Sequence, residues 1–600
     1  MIIHGGQEMI KSLVKILEIS SENLNGPAEW NIMRIKSVHK KGSKMLMKNK
    51  RGLFITNIIS KIVERVLKER NKEQFKKGLT PNQTGGQRST IDNIFTILAI
   101  IERNTYLNKT THLTFADVQK CFDQLWLDDG IKDLWHCGVD VRDAIMIRNM
   151  NRTAQITIDT PVGTTEEFVV KNIVKQGTVY ASDICGASMG CINKMGYGIR
   201  TMYGPDLEIG ALAFVDDVVS AGSANVSNNT IRACSMMEEK KLLTFNTDSG
   251  KSAVMKTGKK VYDKAITSQV KGGEFERVDK YKLLGLWVNN KAKYMINIKE
   301  NQKRIKFMIN SAKGFANENN MGELATEGRI HLIETAIIHA ILHGSEGFAS
   351  FTQEEEDELE KLQGNLIREL MEITPSTPYI PLLWELGLPT MRARINYRKL
   401  MLYHNLSNSD DKRIAKQVLE TQKTIDRQGT WFNGIKKLLQ EYNLEDTVKV
   451  DLKSRWKNKV KKSIKEKTEG ELREKCMQQS KARSIIKNDY MIKEYLKKKP
   501  ISVAKKIITA RLHMVKIPCN YKRQEQATNC WLCGQLDVKT EHYFSCGSTK
   551  FQQRMWSVKE SDLVSTNTST LMRVSCFLEK IAELYRPKWE TLYQKPQMKD

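Results

Sequence analysis

The spacing of apolar and polar positions changes character twice along the chain. In TNIISKIVERVLKER, set among basic loops such as KSVHKKGSKMLMKNKRG, Ile58, Ile62 and Leu67 keep a helix-like spacing. Between residues 111 and 290 the pattern turns to short β-prone runs, HLTFADV, TAQITID, EEFVVKNIV, ALAFV and YKLLGLWV, separated by turns and helical segments. That alternation predicts an α+β sheet domain. Beyond 291 the helical period returns: Ile330, Ile333, Ile337 and Ile341 share one face, as do Leu359, Leu362, Leu366 and Leu370. The proline-rich PSTPYIPLLWELGLP reads as a structured connector marking a boundary, because proline fixes its own backbone and biases the residue before it away from helix.

Charge adds the kind of partner. The 600 residues carry 96 Lys and Arg against 69 Asp and Glu, a net charge of +27 and a pI near 9.4. That balance points to a polyanion, and to nucleic acid before a membrane surface, since no basic amphipathic anchor or lipidation signal is present. Residues 451–500 concentrate it, with 17 basic against 7 acidic side chains, including KNKVKKSIKEK, Lys497, Lys498 and Lys499. Such a run is either a solvated helix face or a phosphate-binding surface. No apolar run is long enough to span a bilayer, and MIIHGGQEMIKSLVKI lacks the features of a secretory signal, so an intracellular protein is expected. The eleven cysteines are mostly scattered singly, as buried apolar residues tend to be.

Two places carry chemistry. ALAFVDDVVSAG sets the adjacent carboxylates Asp216 and Asp217 in an apolar run, and two like charges side by side are costly unless a cation lies between them. Asp117 ends the alternating run HLTFAD. If its strand lies beside the Asp216 hairpin, three carboxylates meet at one rim of a sheet, a hard oxygen site suited to Mg²⁺. Two such ions about 4 Å apart can activate a 3′ hydroxyl and stabilise departing pyrophosphate. Asp123, Asp128 and Asp129 fit helix caps or exposed charge better. Near the C terminus Cys530, Cys533, His542 and Cys546 keep C-x2-C-x8-H-x3-C spacing, which suits one tetrahedral, structural Zn²⁺.

These blocks resemble a known family. FADVQKCFDQLW is similar to motif A of reverse transcriptases, VKQGTVYASDICGASM to motif B and AFVDDVV to motif C, in that order. KKGSKMLMKNKRGLFITNIISKIVERVL and LTPNQTGGQRSTIDNIF resemble the fingers motifs of non-LTR (LINE-type) retrotransposon polymerases, FNTDSGKSAVM their motif D and YKLLGLWV their primer grip. With the connector and the Cys/His cluster the resemblance runs from about 29 to 550 and suggests the R2 and R4/Dong group.

The resemblance implies a right-hand polymerase, α+β, followed by a mostly helical basic extension and a small zinc lobe. The expected divisions are 1–110 N-terminal segment and fingers, 111–290 palm, 291–372 helical thumb, 373–515 basic extension, 516–550 zinc lobe and 551–600 helical tail. It makes Asp117, Asp216 and Asp217 the ligands of two catalytic Mg²⁺ ions and Lys251 the acid for leaving pyrophosphate. Phe122 becomes the gate against a 2′ hydroxyl, Gln176 and Gly177 the lining of the nucleotide and template side, and Arg51 and Arg88 the triphosphate and template contacts. Tyr281, Leu284 and Gly285 become the primer grip. The implied reaction is RNA-directed DNA synthesis on an RNA template from a DNA primer, a nicked chromosomal target, with deoxynucleoside triphosphates as substrates. That places the protein in the nucleus when it acts, away from membranes. Two alternatives remain open: a group II intron-like maturase, and a degenerate or domesticated element product that binds RNA without catalysis. The family's endonuclease and an RNase H constellation are not evident in the sequence.

Overall fold

The computed structural model describes residues 5–593, except 40–42, 44–45, 47–48, 87, 161–162, 173, 196–197, 259–268, 319–325, 426, 446–451, 480–489, 492, 498–499, 516, 518–528 and 537. Lys498 and Lys499 of the basic run therefore lie outside the described residues. The strands are β1 Ile32–His39, β2 Lys50–Ile55, β3 Thr111–Ala116, β4 Thr153–Thr160, β5 Gly163–Thr164, β6 Phe168–Lys171, β7 Thr201–Met202, β8 Glu208–Ile209, β9 Leu212–Phe214, β10 Asp217–Gly222, β11 Ala253–Thr257, β12 Glu276–Arg277, β13 Lys280–Leu283 and β14 Leu286–Asn289. The chain divides into two compact units: Met1–Lys293 with Gly347–Ala349 and Leu406–Gly434, and Tyr294–Glu346 with Ser350–Asn405 and Ile435–Asp600.

The first unit contains two five-stranded sheets. One runs β12-β11-β3-β10-β9, with β3 buried along its whole length. The run alternates, so burial on both faces takes Thr111, His112 and Thr114 inside together with Leu113 and Phe115. The other sheet runs β2-β1-β4-β5, with β6 also paired to β4. TAQITID and FVVK, which fall within 111–290, thus join β1 and β2 and not the sheet of β3. The parallel register Met33↔Ile156 stacks Met33, Ala154 and Ile156 into a small core of their own.

Helix Ile58–Arg70 forms where the apolar spacing expects one, capped by Asn57, whose side chain accepts from the Ile59 N–H at 2.8 Å. Its buried face is Ser60, Val63, Glu64 and Leu67, whereas Ile58 is exposed. Helix Thr90–Tyr106 is buried over most of its length, and the segment Leu406–Gly434 is fastened to it. Arg413 grips Asp92 with two bonds of 2.6 Å, Phe95 meets Trp431 edge to face at 4.8 Å, and the Arg427 guanidinium lies 3.5 Å over the Tyr106 ring.

The second unit is helical. Leu359, Leu362, Leu366 and Leu370 are all buried on helix Gln353–Leu370, which begins with a Thr352/Glu355 capping box. Ile333, Ile337 and Ile341 are buried too, while Ile330 is half-buried. The stretch expected to be a connector folds as helix Tyr379–Leu386, ended by Gly387 at φ 64° and packed on helix Lys453–Met477. Pro378 precedes it and Pro381 lies in its first turn, where the N–H groups have no intrahelical partner and proline removes nothing. Among the described residues no helix is long and apolar enough to cross a membrane.

Glu385 on that helix is fully buried and receives the Arg511 guanidinium, itself 2 % exposed, at 2.6 Å; Arg511 also donates to the Leu563 carbonyl at 3.0 Å. Removing one partner leaves a buried charge alone, which costs about 3–5 kcal/mol. Arg511→Ala is therefore expected to lower the second unit's unfolding free energy by about that much in a urea titration. The double variant Arg511→Met/Glu385→Leu should recover most of the loss.

Candidate active site

The acidic residues reach one rim through strand register. β10 runs antiparallel to β3 with Val218 opposite Ala116, so the next rung sets Asp217 opposite Asp117. β9 and β10 close at Phe214↔Asp217, which makes Val215 and Asp216 the two-residue turn between them. Val215 has φ 59°, and Asp216 is not among the residues of positive φ. A positive φ at the first turn position alone is the II′ geometry that favours glycine there. A β-branched side chain in that conformation costs about 1–3 kcal/mol.

The electrostatics agree with the register. Burial pushes the Asp216 carboxyl above the usual carboxylate range; its own N–H opposes this, the charge of Asp117 adds to it, and Arg51 and Lys251 counter it. Asp117 is fixed from several sides: its N–H donates to Ser252 Oγ at 3.1 Å, its carbonyl accepts from the Asn246 N–H at 2.8 Å, and Lys251 Nζ donates to Oδ2 at 2.9 Å. Tyr281 stacks on Phe115 with centroids 3.9 Å apart. Burial raises its phenol's proton affinity, and the charges of Asp117 and Asp217 raise it further. Asp117, Asp216, Asp217, Lys251, Arg51 and Tyr281 thus share one neighbourhood. Carboxylates gathered at a half-buried rim are the donor type that hard divalent cations such as Mg²⁺ prefer.

The remaining residues distribute around it. Gln176 Nε2 donates to Asp123 Oδ1 at 3.4 Å. Gly177 has φ 103°, and a Cβ there would sit 2.9 Å from the Phe54 carbonyl of β2, so only glycine lets this loop lie against the strand that carries Arg51. Glu64, which sequence reasoning did not single out, holds the same loop by accepting from the Val179 N–H at 2.6 Å. Phe122 is half-buried and packs on the main core. Leu284 and Gly285, both at positive φ, are the turn between β13 and β14. Arg88 faces elsewhere: its guanidinium donates to the Pro81 carbonyl at 3.1 Å and lies in the field of Asp92, Asp410 and Arg413.

In the second unit the cysteine–histidine pattern closes on itself. The ligand atoms of Cys530, Cys533, His542 and Cys546 all lie within 4.8 Å of one another, with Cys530 Sγ 4.0 Å from Cys546 Sγ and Cys533 Sγ 3.3 Å from His542 Nε2. Three sulfurs and an imidazole at such separations match the edges of a tetrahedron around zinc. Gly534 at φ 79° lets the chain return, so that Cys530 N–H reaches the Gln535 carbonyl at 2.8 Å. Tyr585 OH lies 3.4 Å from Cys530 Sγ, a second contact that orients a ligand.

Residues 38–288 match the family described as reverse transcriptase (RNA-dependent DNA polymerase), and that span contains the whole sheet of β3 and the acidic rim. This stretch is similar to a reverse transcriptase domain. The members of that family are RNA-directed DNA polymerases, and such domains work with divalent metals. Two solved structures are similar at 11 % identity: apo telomerase from Candida tropicalis truncated from its C-terminal domain, and telomerase from Candida albicans with a fragment of telomeric RNA. The first alignment covers 44 % of this chain and 54 % of that one at a TM-score of 0.30. The second covers 76 % and 71 % at 0.32. The chain thus spans about half the length of the first. No curated protein matches it.

Proposed function

We propose that the whole chain is an RNA-directed DNA polymerase of a non-LTR retrotransposon, allied to the R2 and R4/Dong group, that extends a nicked chromosomal DNA end on an RNA template in the nucleus. The observation that carries the reading is the register placing Asp217 opposite Asp117, with Asp216 at the turn beside them. In the proposed mechanism Asp117 and Asp216 would hold the divalent cations, whose chemistry there would be charge stabilisation of the nucleotidyl transfer. Asp217 completes the acidic rim. Arg51 steadies the triphosphate through charge-assisted bonds. Lys251, 2.9 Å from Asp117, stands ready to pass a proton to the leaving pyrophosphate. Phe122 excludes a 2′ hydroxyl by bulk, Gln176 and Gly177 line the nucleotide, and Tyr281, Leu284 and Gly285 support the primer end.

Primer extension on a heteropolymeric RNA template tests it. Magnesium-dependent incorporation whose product sequence follows the RNA is expected; binding without synthesis in any divalent metal would leave only an RNA-binding protein.

The basic face of helix Lys453–Met477 supports a nucleic-acid partner for the second unit. Trp456, Val460, Ile464, Thr468, Leu472 and Cys476 are buried four residues apart, which turns Lys453, Arg455, Lys457, Lys461, Lys462, Lys465 and Lys467 outward. These cations crowd the N-terminal half, where they oppose the helix's own dipole, so helix stability does not explain them. The triple variant Lys457→Ala/Lys461→Ala/Lys465→Ala should flatten the plot of log affinity for single-stranded RNA against log salt by about 2, at roughly 0.7 per lost phosphate contact. An unchanged slope would make the face merely solvated.

A further inference from the structure

The turn that carries Asp216 is seated on a segment far from it in sequence. Gln83 is 2 % exposed, and its carboxamide meets four main-chain groups. Oε1 accepts from the Val215 N–H at 2.9 Å and from the Gly85 N–H at 2.9 Å. Nε2 donates to the Val215 carbonyl at 3.1 Å and to the Gly186 carbonyl at 3.0 Å. One side chain therefore holds both polar groups of the residue before Asp216, the residue at positive φ.

The segment around Gln83 is built to deliver it. Thr84 N–H donates to the Ala213 carbonyl at 2.8 Å, Ala213 N–H donates to the Asn82 carbonyl at 2.9 Å, and Gln83 pairs in parallel with Ala213, so residues 82–84 cover the outer edge of β9. Thr84 Oγ1 and Asn93 Nδ2 reach the same Ala213 carbonyl at 3.1 and 3.2 Å. A Cβ on Gly85 would lie 2.2 Å from Val215 N and 2.6 Å from Val215 Cγ2, so glycine is needed for the turn to sit down.

We infer that Gln83 is a positioning residue for DNA synthesis: its carboxamide fixes the main chain at Val215 and so sets the direction in which Asp216 presents its carboxylate to the divalent cations. The inference deepens the polymerase reading and rests on it. Without this grip only the closure of the two-residue hairpin holds Val215 at its costly positive φ, and relaxing the turn swings Asp216 away from Asp117. Gly186 belongs to helix Ala181–Gly190, so the carboxamide also ties the turn to the helix that follows the Gln176 loop.

The test compares the parent chain with Gln83→Met, which keeps the volume and loses all four bonds, and Gln83→Glu, which keeps the acceptor and sets a carboxylate against two carbonyls. Both should fold, by an unchanged circular dichroism spectrum. At saturating substrate the rate of synthesis should fall about a hundredfold, as expected when a reacting group is displaced by about an ångström. The Mg²⁺ needed for half-maximal rate should rise about tenfold, with KM for primer-template unchanged. A rate that falls only with the folded fraction, at the parent's Mg²⁺ requirement, overturns the inference, and so does an unchanged rate. Should the parent itself synthesise nothing, the polymerase reading fails. Mn²⁺ titration by electron paramagnetic resonance then decides: weaker binding by Gln83→Met supports the seat, and equal binding overturns it.

Discussion

Asp216→Asn should lower magnesium-dependent DNA synthesis by at least about a thousandfold, since losing one ligand removes several kcal/mol of charge stabilisation from the transition state. The same substitution should stabilise the metal-free protein. Burial, with the charge of Asp117, raises the affinity of Asp216 for its proton in the folded state. A group raised in this way favours folding in acid, and that contribution is lost as pH climbs through its raised value. Near neutral pH the ionised carboxylate is therefore a cost to the metal-free fold, and the neutral amide removes it. Thermal unfolding near neutral pH without divalent metal should show a higher midpoint for Asp216→Asn than for the parent. Adding Mg²⁺ should raise the parent's midpoint and barely move the variant's. Parent-like synthesis by the variant, or an equal metal response, contradicts the assignment.

The second large effect concerns the cysteine–histidine cluster, which we propose binds one structural zinc. Cys530 and Cys546 are buried in a core with Tyr543, Phe577, Ile581 and Tyr585. Structural zinc contributes about 10–16 kcal/mol in small domains, comparable with the whole stability of such a lobe. Cys546→Ser, or a strong chelator, should therefore release about one zinc per chain by mass spectrometry and open the region after residue 516 to limited proteolysis. Cys137→Ser, a thiol of the first unit, serves as the control and should do neither. A zinc-free chain with the parent's digestion pattern would show that packing alone holds the lobe.

The acidic rim was legible because its elements announce themselves locally. HLTFAD, ALAFVDDVV and YKLLGLWV each become a strand or a hairpin within a residue or two of their apolar runs. The match to the reverse transcriptase family spans those runs. What stayed hidden depends on partners distant in sequence. Nothing near TAQITID says that it pairs with β1, since pairing is chosen by register and packing. Nothing near residue 413 announces an ion pair to Asp92, 321 positions away. The helix at Tyr379–Leu386 was masked by prolines that fall where a helix tolerates them. Gln83 lay among turn residues in LTPNQTGG; its only local signal is a large amide beside two glycines, the second at positive φ. A carboxamide that serves four main-chain groups becomes visible only when the turn is seated on it.

The central claim is that Asp117, Asp216 and Asp217, brought together by β3 and the β9–β10 turn, hold a pair of divalent cations against a nucleotide. Crystals of the protein with primer, RNA template and a non-hydrolysable deoxynucleotide in Mn²⁺ test it through anomalous scattering. The account predicts two peaks about 4 Å apart, each within coordination distance of Asp216 and at least one also of Asp117. Peaks that avoid Asp117, or a nucleotide bound with no metal at Asp216, would contradict it.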